Sequence, residues 1–184
     1  MIDDYPDTIE LDIDRDALRS YLRTRWFISW VAGLGFIGGT LGFLTVTSRL
    51  DNYDYNGIQE FLSLLVMGVC GWLLVSLVLS TILYFLLSHR HAAIVATTLR
   101  VIVEGGFLRI ISHDPARMDR KIHFRSIVDY TIFEDALMRR FGIKALQMTT
   151  TGGGNQASLQ ILGLRECQDA RDKLASIDAL RENK

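Results

Sequence analysis

Four histidines, two cysteines, one triple glycine and two groups of cations are the residues here whose types and spacing could do chemistry. His89 and His91 flank Arg90 at the end of an apolar run. Helical metal ligands need spacings of three or four, and no Cys or carboxylate cluster stands nearby. An interfacial role, or one at a helix C-terminus, fits the pair better. His113 and His123 bracket a polar stretch and would lie opposite each other if it were a hairpin; no metal site is expected there either. "TTTGGGN" invites a phosphate reading, but a P-loop needs Lys-Ser/Thr and a following helix, whereas "ASLQILGL" alternates like a strand. No Ser-His-Asp or Cys-His arrangement assembles. Glu134 and Asp135 beside Arg139 and Arg140 suit a surface ion-pair group. The expectation is a non-enzymatic protein without catalytic residues, metal or cofactor.

The cations form two groups, Arg117, Arg120, Lys121 and Arg125 in one loop region and Arg139, Arg140 and Lys144 in another. These seven are candidate contacts for lipid or a partner protein. Near an anionic membrane each would contribute about 1 kcal/mol, less when screened. Asp114 and Asp119 dilute the first group, so a solvated surface is the favoured reading. The net charge is -1, and no nucleic-acid partner is expected. Cys70 lies in an apolar run and Cys167 in a polar segment, so a bridge between them is implausible, and free thiols fit a reducing cytoplasm.

The elements that carry these residues begin with two long apolar stretches. Trp26 to Ser48 is 23 residues without a charge, and Phe61 to Leu87 is 27. As helices they would reach about 34 and 40 Å, against a hydrocarbon core of about 30 Å. Soluble helices rarely run this long without a polar face. A cleaved signal peptide does not fit, because seven acidic residues precede the first run and it is too long. Transmembrane helices are therefore expected over 26–48 and 61–88, joined by an external loop at 49–60. Residues 1–14 read as acidic and irregular. Asp14 is a plausible N-cap for a juxtamembrane helix leading into the first span, with Trp26 and Trp30 at headgroup level. Arg15, Arg19, Arg23 and Arg25 precede the first span, Arg90 and Arg100 follow the second, and the loop holds only Arg49. That asymmetry places both termini in the cytoplasm.

The first span carries Gly35, Gly38, Gly39 and Gly42, a candidate helix-packing seam. The second span, which offers Gly68, Gly71 and Ser76, is the favoured partner; another chain is the alternative.

After Ser88 the periodicity changes. "AAIVATT" reads as a strand, "LRVIVE" and "FLRIISH" as a hairpin about Gly105-Gly106, and "DPARMD" as a polar loop. "KIHFRSIVDYTIFE" reads as one long or two short strands with Ile127, Tyr130, Ile132 and Phe133 as buried candidates. "DALMRRFG" is a helical turn closed by Gly142, and two more strands enclose the glycine turn. In the last segment Cys167, Ala170, Leu174, Ile177 and Leu180 make one apolar stripe, so a helix is expected to lie over an open sheet end. The reading is an α+β domain over 89–184, six or seven strands and a C-terminal helix, complete from residue 90 on.

Two spans followed by this order of elements resemble the bacterial pleckstrin-homology-like (PH-like) membrane proteins of the YdbS/YdbT group. The residues carrying the likeness are Thr97-Thr98-Leu99-Arg100, Gly105-Gly106, Ile127, Arg140-Phe141-Gly142-Ile143, Leu146 and Thr151-Gly152-Gly153. The resemblance implies two roughly orthogonal antiparallel sheets, a bent sheet or partial barrel, closed at one end by the C-terminal helix. It implies no catalytic residues and a place in the bacterial inner membrane. The function expected is a scaffold or binding module acting through protein contacts at the cytoplasmic membrane face. The alternatives are an accessory or assembly subunit of a larger membrane complex, or a sensor of anionic lipid. The partner is either another protein or a second copy.

Overall fold

The computed structural model describes residues 8–50, 58–104, 106–114, 116–152 and 155–182. The expected loop tip at 51–57, Gly105 of the first hairpin and Gly153 of the second lie outside them, as do the side chains of Ile177 and Leu180. The chain divides into two compact units, one made of Arg23–Arg90 and the other of the residues on either side of that stretch.

The helical unit contains most of α1 (Arg15–Leu50), α2 (Ile58–Leu83) and a π-helical turn at Tyr84–Ser88. Its burial is inverted relative to a soluble core. Ser76, Ser80 and Ser88 are buried, whereas Phe36 is 78% exposed, Met67 72% and Leu86 68%. The small hydroxyls sit where the helices meet. Trp30 Nε1 donates to Ser88 Oγ at 2.7 Å, and Ser80 Oγ shares its proton between the Trp30 carbonyl of the facing helix at 3.3 Å and the Ser76 carbonyl of its own helix at 2.6 Å. The bonds between α1 and α2 and the close approach of their backbones hold the two helices together. The Phe27 and Tyr84 rings pack edge to face at 5.2 Å.

The second unit has seven strands among its described residues. One sheet has the order β1-β2-β3-β4, with β1 at Thr8–Glu10, β2 at Arg100–Glu104, β3 at Phe107–Asp114 and β4 at Ala116–His123. The other is β5-β6-β7, at Ile127–Phe133, Lys144–Gly152 and Asn155–Leu164. Every pairing is antiparallel. A 3-10 turn at Phe124–Ser126 passes the chain from one sheet to the other. Alternation in β2 and β3 turns Val101, Val103, Leu108 and Ile110 inward, where they join Phe124, Leu146, Met148 and Ile161 in one core. Helix α5 (Cys167–Glu182) packs on β5 and β6 and sends Cys167, Ala170 and Leu174 into that core, the face expected from its spacing.

Four readings of the sequence need correction. "AAIVATT" is not a strand but part of helix α3 (His89–Thr98), which buries Ala92, Val95 and Ala96. Those positions follow the i, i+3, i+4 pattern of a helix, and alanine favours helix over strand. Residues 8–10, read as irregular, form β1, so a fragment starting at residue 90 lacks a strand. "DPARMD" is not a loop: its last four residues open β4, which continues to His123. Phe133, expected inside, is 41% exposed because it stands at the end of edge strand β5.

The segment from Thr8 to Asp14 ties the two sheets together. β1 pairs with β2, and Leu11 N–H donates to the Val101 carbonyl at 2.9 Å in the same sheet. Three residues on, Asp14 N–H donates to the Gly163 carbonyl at 2.7 Å and Arg165 N–H to the Asp12 carbonyl at 3.2 Å, both in the other sheet. Leu11 reaches the core between these contacts. Asp14 then caps α1 by accepting from Ala17 N–H at 3.0 Å. Leu18 lies so close to Gly163 that a Cβ there would stand 3.0 Å from the leucine's Cβ, and Gly163 has φ +78°. Both facts require glycine.

Candidate partner-binding surface

The first cation group lies on a strand, and the strand splits it. Cross-strand partners share a face, so the register Arg109↔Lys121, Ile111↔Asp119 and His113↔Arg117 puts Arg117, Asp119 and Lys121 on the outer face. Arg120 and Met118, opposite Ile110 and Ser112, project to the other side. There the core has run out: Met118 is 42% exposed, and of the whole strand only Ile122 is half-buried. Arg125 stands beyond, in the 3-10 turn.

Arg109 organises the outer face. Its Nε and Nη2 donate to the two carboxylate oxygens of Asp119 at 2.8 and 2.6 Å, a bidentate fork. The hydrogen bond from Arg109, joined by attraction to it, holds the Asp119 carboxyl below the usual carboxylate range. Reciprocally, that bond raises Arg109 above its ordinary value. Lys121 Nζ stands 3.7 Å from Glu104 and 4.7 Å from the centre of the Phe107 ring. Asp119 and Glu104 are thus neutralised by Arg109 and Lys121. Arg117 on this face, Arg120 on the other and Arg125 in the turn form no ion pair among the described residues, so β4 and the turn after it keep an excess of positive charge.

The second cation group is carried by helix α4 (Ala136–Phe141). Asp135 caps it, accepting from Met138 N–H at 2.6 Å, and Gly142 closes it in the left-handed conformation at φ 66°. Tyr21 Oη approaches the other Asp135 oxygen at 3.4 Å, tying the start of α1 to this turn. Arg139 and Arg140 are exposed, and Arg139 stands 3.5 Å from Glu134. Lys144 is apart from them at the start of β6. It borders a surface depression of about 340 Å³ that also contains Arg165, Glu166 and Asp169, so charge of both signs meets there. The seven candidate cations therefore occupy separate places: the two sides of β4, the 3-10 turn, α4 and the start of β6.

The histidines separate as well. His113 faces Arg117 and His123 faces Phe107, at opposite ends of the β3–β4 hairpin, so they do not meet. His123 Nδ1 accepts from Arg125 N–H at 3.1 Å and shapes the 3-10 turn. His89 packs against the Tyr84 and Phe85 rings. No group of three or more His, Cys, Asp or Glu able to hold a metal occurs among the described residues. Both cysteines are free, Cys70 exposed and Cys167 buried, and burial pushes the Cys167 thiol up.

The glycines of α1 divide into two faces. A Cβ on Gly42 would stand 2.9 Å from Val69 Cα, and one on Gly38 would meet Ser76 and lie 2.9 Å from the Trp72 carbonyl oxygen. These two let α2 approach. Gly35 and Gly39 meet nothing within 4 Å. The spacing of four residues was legible in the sequence; which pair meets α2 follows from the crossing of the helices.

Two small antiparallel sheets, a helix packed across one of them and an exposed charged strand define a binding domain of the PH-like class. The chain belongs to the bacterial PH domain family: the model of the family described as "Bacterial PH domain" matches residues 34–177, more than three quarters of the chain. The matched span takes in the second half of α1 and all of α2 and begins after β1 and the segment that joins the two sheets. Neither a curated protein nor a solved structure matches this chain.

Proposed function

We infer that this chain is a membrane-anchored, non-enzymatic binding module of the YdbS/YdbT type, which presents its PH-like domain to partner proteins at the cytoplasmic face of a bacterial inner membrane. The observation that carries the anchor is the burial of the two long helices. Only 11% of the most apolar window of one and 6% of that of the other are buried, whereas a helix in a soluble core is mostly buried. Exposed Leu, Phe and Met around buried Ser suits hydrocarbon as the solvent. The arginines before the first span and after the second favour cytoplasmic termini. Binding without catalysis is supported by the scattering of the titratable groups.

A cysteine placed within 51–57, in a chain with Cys70 and Cys167 changed to Ser, tests the topology. It is expected to react with an impermeant thiol reagent in intact cells; labelling only after lysis overturns the orientation. Gentle solubilisation and native mass test the function. A co-purifying protein supports the module, and a lone monomer that binds only anionic vesicles overturns it in favour of lipid sensing. The open face at Gly35 and Gly39 favours a second reading, an assembly subunit docked through α1 on a partner helix. In that case the bound protein would be lost on substitution of those glycines.

A further inference from the structure

Backbone groups that no other strand takes up lie at the sheet edges, and the edges differ. β1 has three residues. β5 is broken by a register shift between Ile127 and Asp129. The end of β7 is bridged by Ile13 at Leu164. Two edges offer eight residues in unbroken register, β4 and 155–162 of β7, and of these only β4 carries charged side chains.

The ladder tells which of its groups are open. Phe124 N–H donates to the Gly106 carbonyl at 3.1 Å, which makes Gly106–Phe124 a hydrogen-bonded pair. Antiparallel pairs alternate, so Leu108–Ile122, Ile110–Arg120 and Ser112–Met118 are bonded too. The N–H and C=O groups of Arg117, Asp119 and Lys121 therefore point away from β3, toward the open edge. Their side chains share the outer face, with Asp119 held by Arg109.

This edge rejects a second copy of itself. Two β4 strands paired antiparallel about Asp119 would set Arg117 against Lys121, and like charges directly opposite are unfavourable. An anionic headgroup does not suit it either. Phosphate oxygens accept from N–H but leave the alternating carbonyls without donors, whereas another strand supplies both.

We propose that the open edge of β4 accepts an extended, acidic segment of a partner protein as a fifth strand of this sheet. The partner's backbone pairs with Arg117, Asp119 and Lys121, and its carboxylates stand opposite Arg117 and Lys121 on the outer face. Main-chain bonds supply the attachment and the cations choose the sequence. The proposal rests on the binding-module reading and names the partner chemistry of that module.

The test uses the full chain in lipid nanodiscs and two ten-residue threonine peptides, one with Glu at every fourth position to face Arg117 and Lys121, the other with Lys at the same positions. The Glu peptide is expected to slow hydrogen exchange at the amides of Arg117, Asp119 and Lys121 and to bind about tenfold more tightly than the Lys peptide. Arg117→Glu with Lys121→Glu is expected to invert that preference. Lys121→Pro removes one outward N–H and leaves the bonds to β3 in place, so it is expected to abolish the protection with the fold unchanged by circular dichroism. No protection by the Glu peptide, protection at another strand, or equal protection by phosphatidylglycerol vesicles alone overturns the proposal. A co-purified protein that crosslinks away from β4 would also overturn it while leaving the module reading intact. Docking of the Glu peptide with no partner co-purifying would support the edge and count against the module.

Discussion

The two units of this chain solve the burial problem in opposite ways. In the β unit the apolar residues go inside: Val101, Leu108 and Leu146 are fully buried, and charged side chains stay out of the core. In the helical unit Ser80 is fully buried while Leu74 is 64% exposed. On the proposed reading, in which the helical unit is the membrane anchor, the two units fold in different solvents. Burial of apolar area drives a sheet domain in water, whereas among apolar surroundings the gain comes from close packing and from hydroxyls that find partners. Average composition hides this difference, because a mean hydropathy of +0.20 is the blend of two unlike parts.

The sharpest way to break the comparison is to place a charge where each unit expects none. Leu174→Asp puts an unpaired carboxylate into the β unit's core, where Leu174 is 0% exposed, and is expected to unfold that unit outright. Leu74→Asp, on the outer face of α2, should leave the β unit's melting unchanged. A parent-like melt for Leu174→Asp removes the placement of α5.

Next in size is the segment that joins the two sheets. Leu11→Ala is expected to cost the β unit about 2–4 kcal/mol, since Leu11 is 7% exposed and in its core. Chemical denaturation of the full chain measures it, and a loss under about 0.5 kcal/mol would show that β1 is dispensable.

Glycine substitutions separate the faces of α1. Gly42→Leu drives a side chain into Val69 and Gly68 and is expected to destabilise the helical unit by a few kcal/mol. Gly39→Leu meets nothing and should leave its stability alone. If Gly39→Leu instead dissociates an assembly seen by native mass, the open face is an interface between chains. In the β unit Gly163→Ala should cost about 1–3 kcal/mol, for strain at φ +78° and the contact with Leu18.

The smallest effects belong to the surface charges. Arg139→Glu with Arg140→Glu is expected to change stability by less than about 0.5 kcal/mol, and vesicle binding that is unaffected retires α4 as a lipid contact. Asp119 has a folded pKa below its unfolded one, because Arg109 hydrogen-bonds to it. Its contribution is therefore fully present above the ordinary value of about 3.9 and is lost as pH falls through the lowered one. Asp119→Asn should flatten that part of the acid limb; an unchanged limb would mean the fork is absent in solution.

Several features were legible in the residues because their causes are local. Charge-free stretches of 23 and 27 residues mark the two long helices. Asp135 and Gly142 mark the limits of α4, since capping and left-handed closure act over one turn. The stripe of Cys167, Ala170 and Leu174 marks the buried face of α5. What tertiary structure decided depends on partners distant in sequence. Thr8–Glu10 is a strand only because β2, over 90 residues later, lends it an edge. Alanine-rich 92–98 follows helical spacing, and its β-branched residues mask that until the buried face is seen. Arg117 and Arg120 are neighbours in sequence, yet the pleat sends them to opposite sides of the sheet, and the register with β3 decides which. Whether Gly38 or Gly39 meets α2 depends on the crossing of two helices, which a four-residue repeat cannot specify. A residue's own chemistry sets which local conformations it favours; only the surface it meets determines whether that side chain is core, edge or contact.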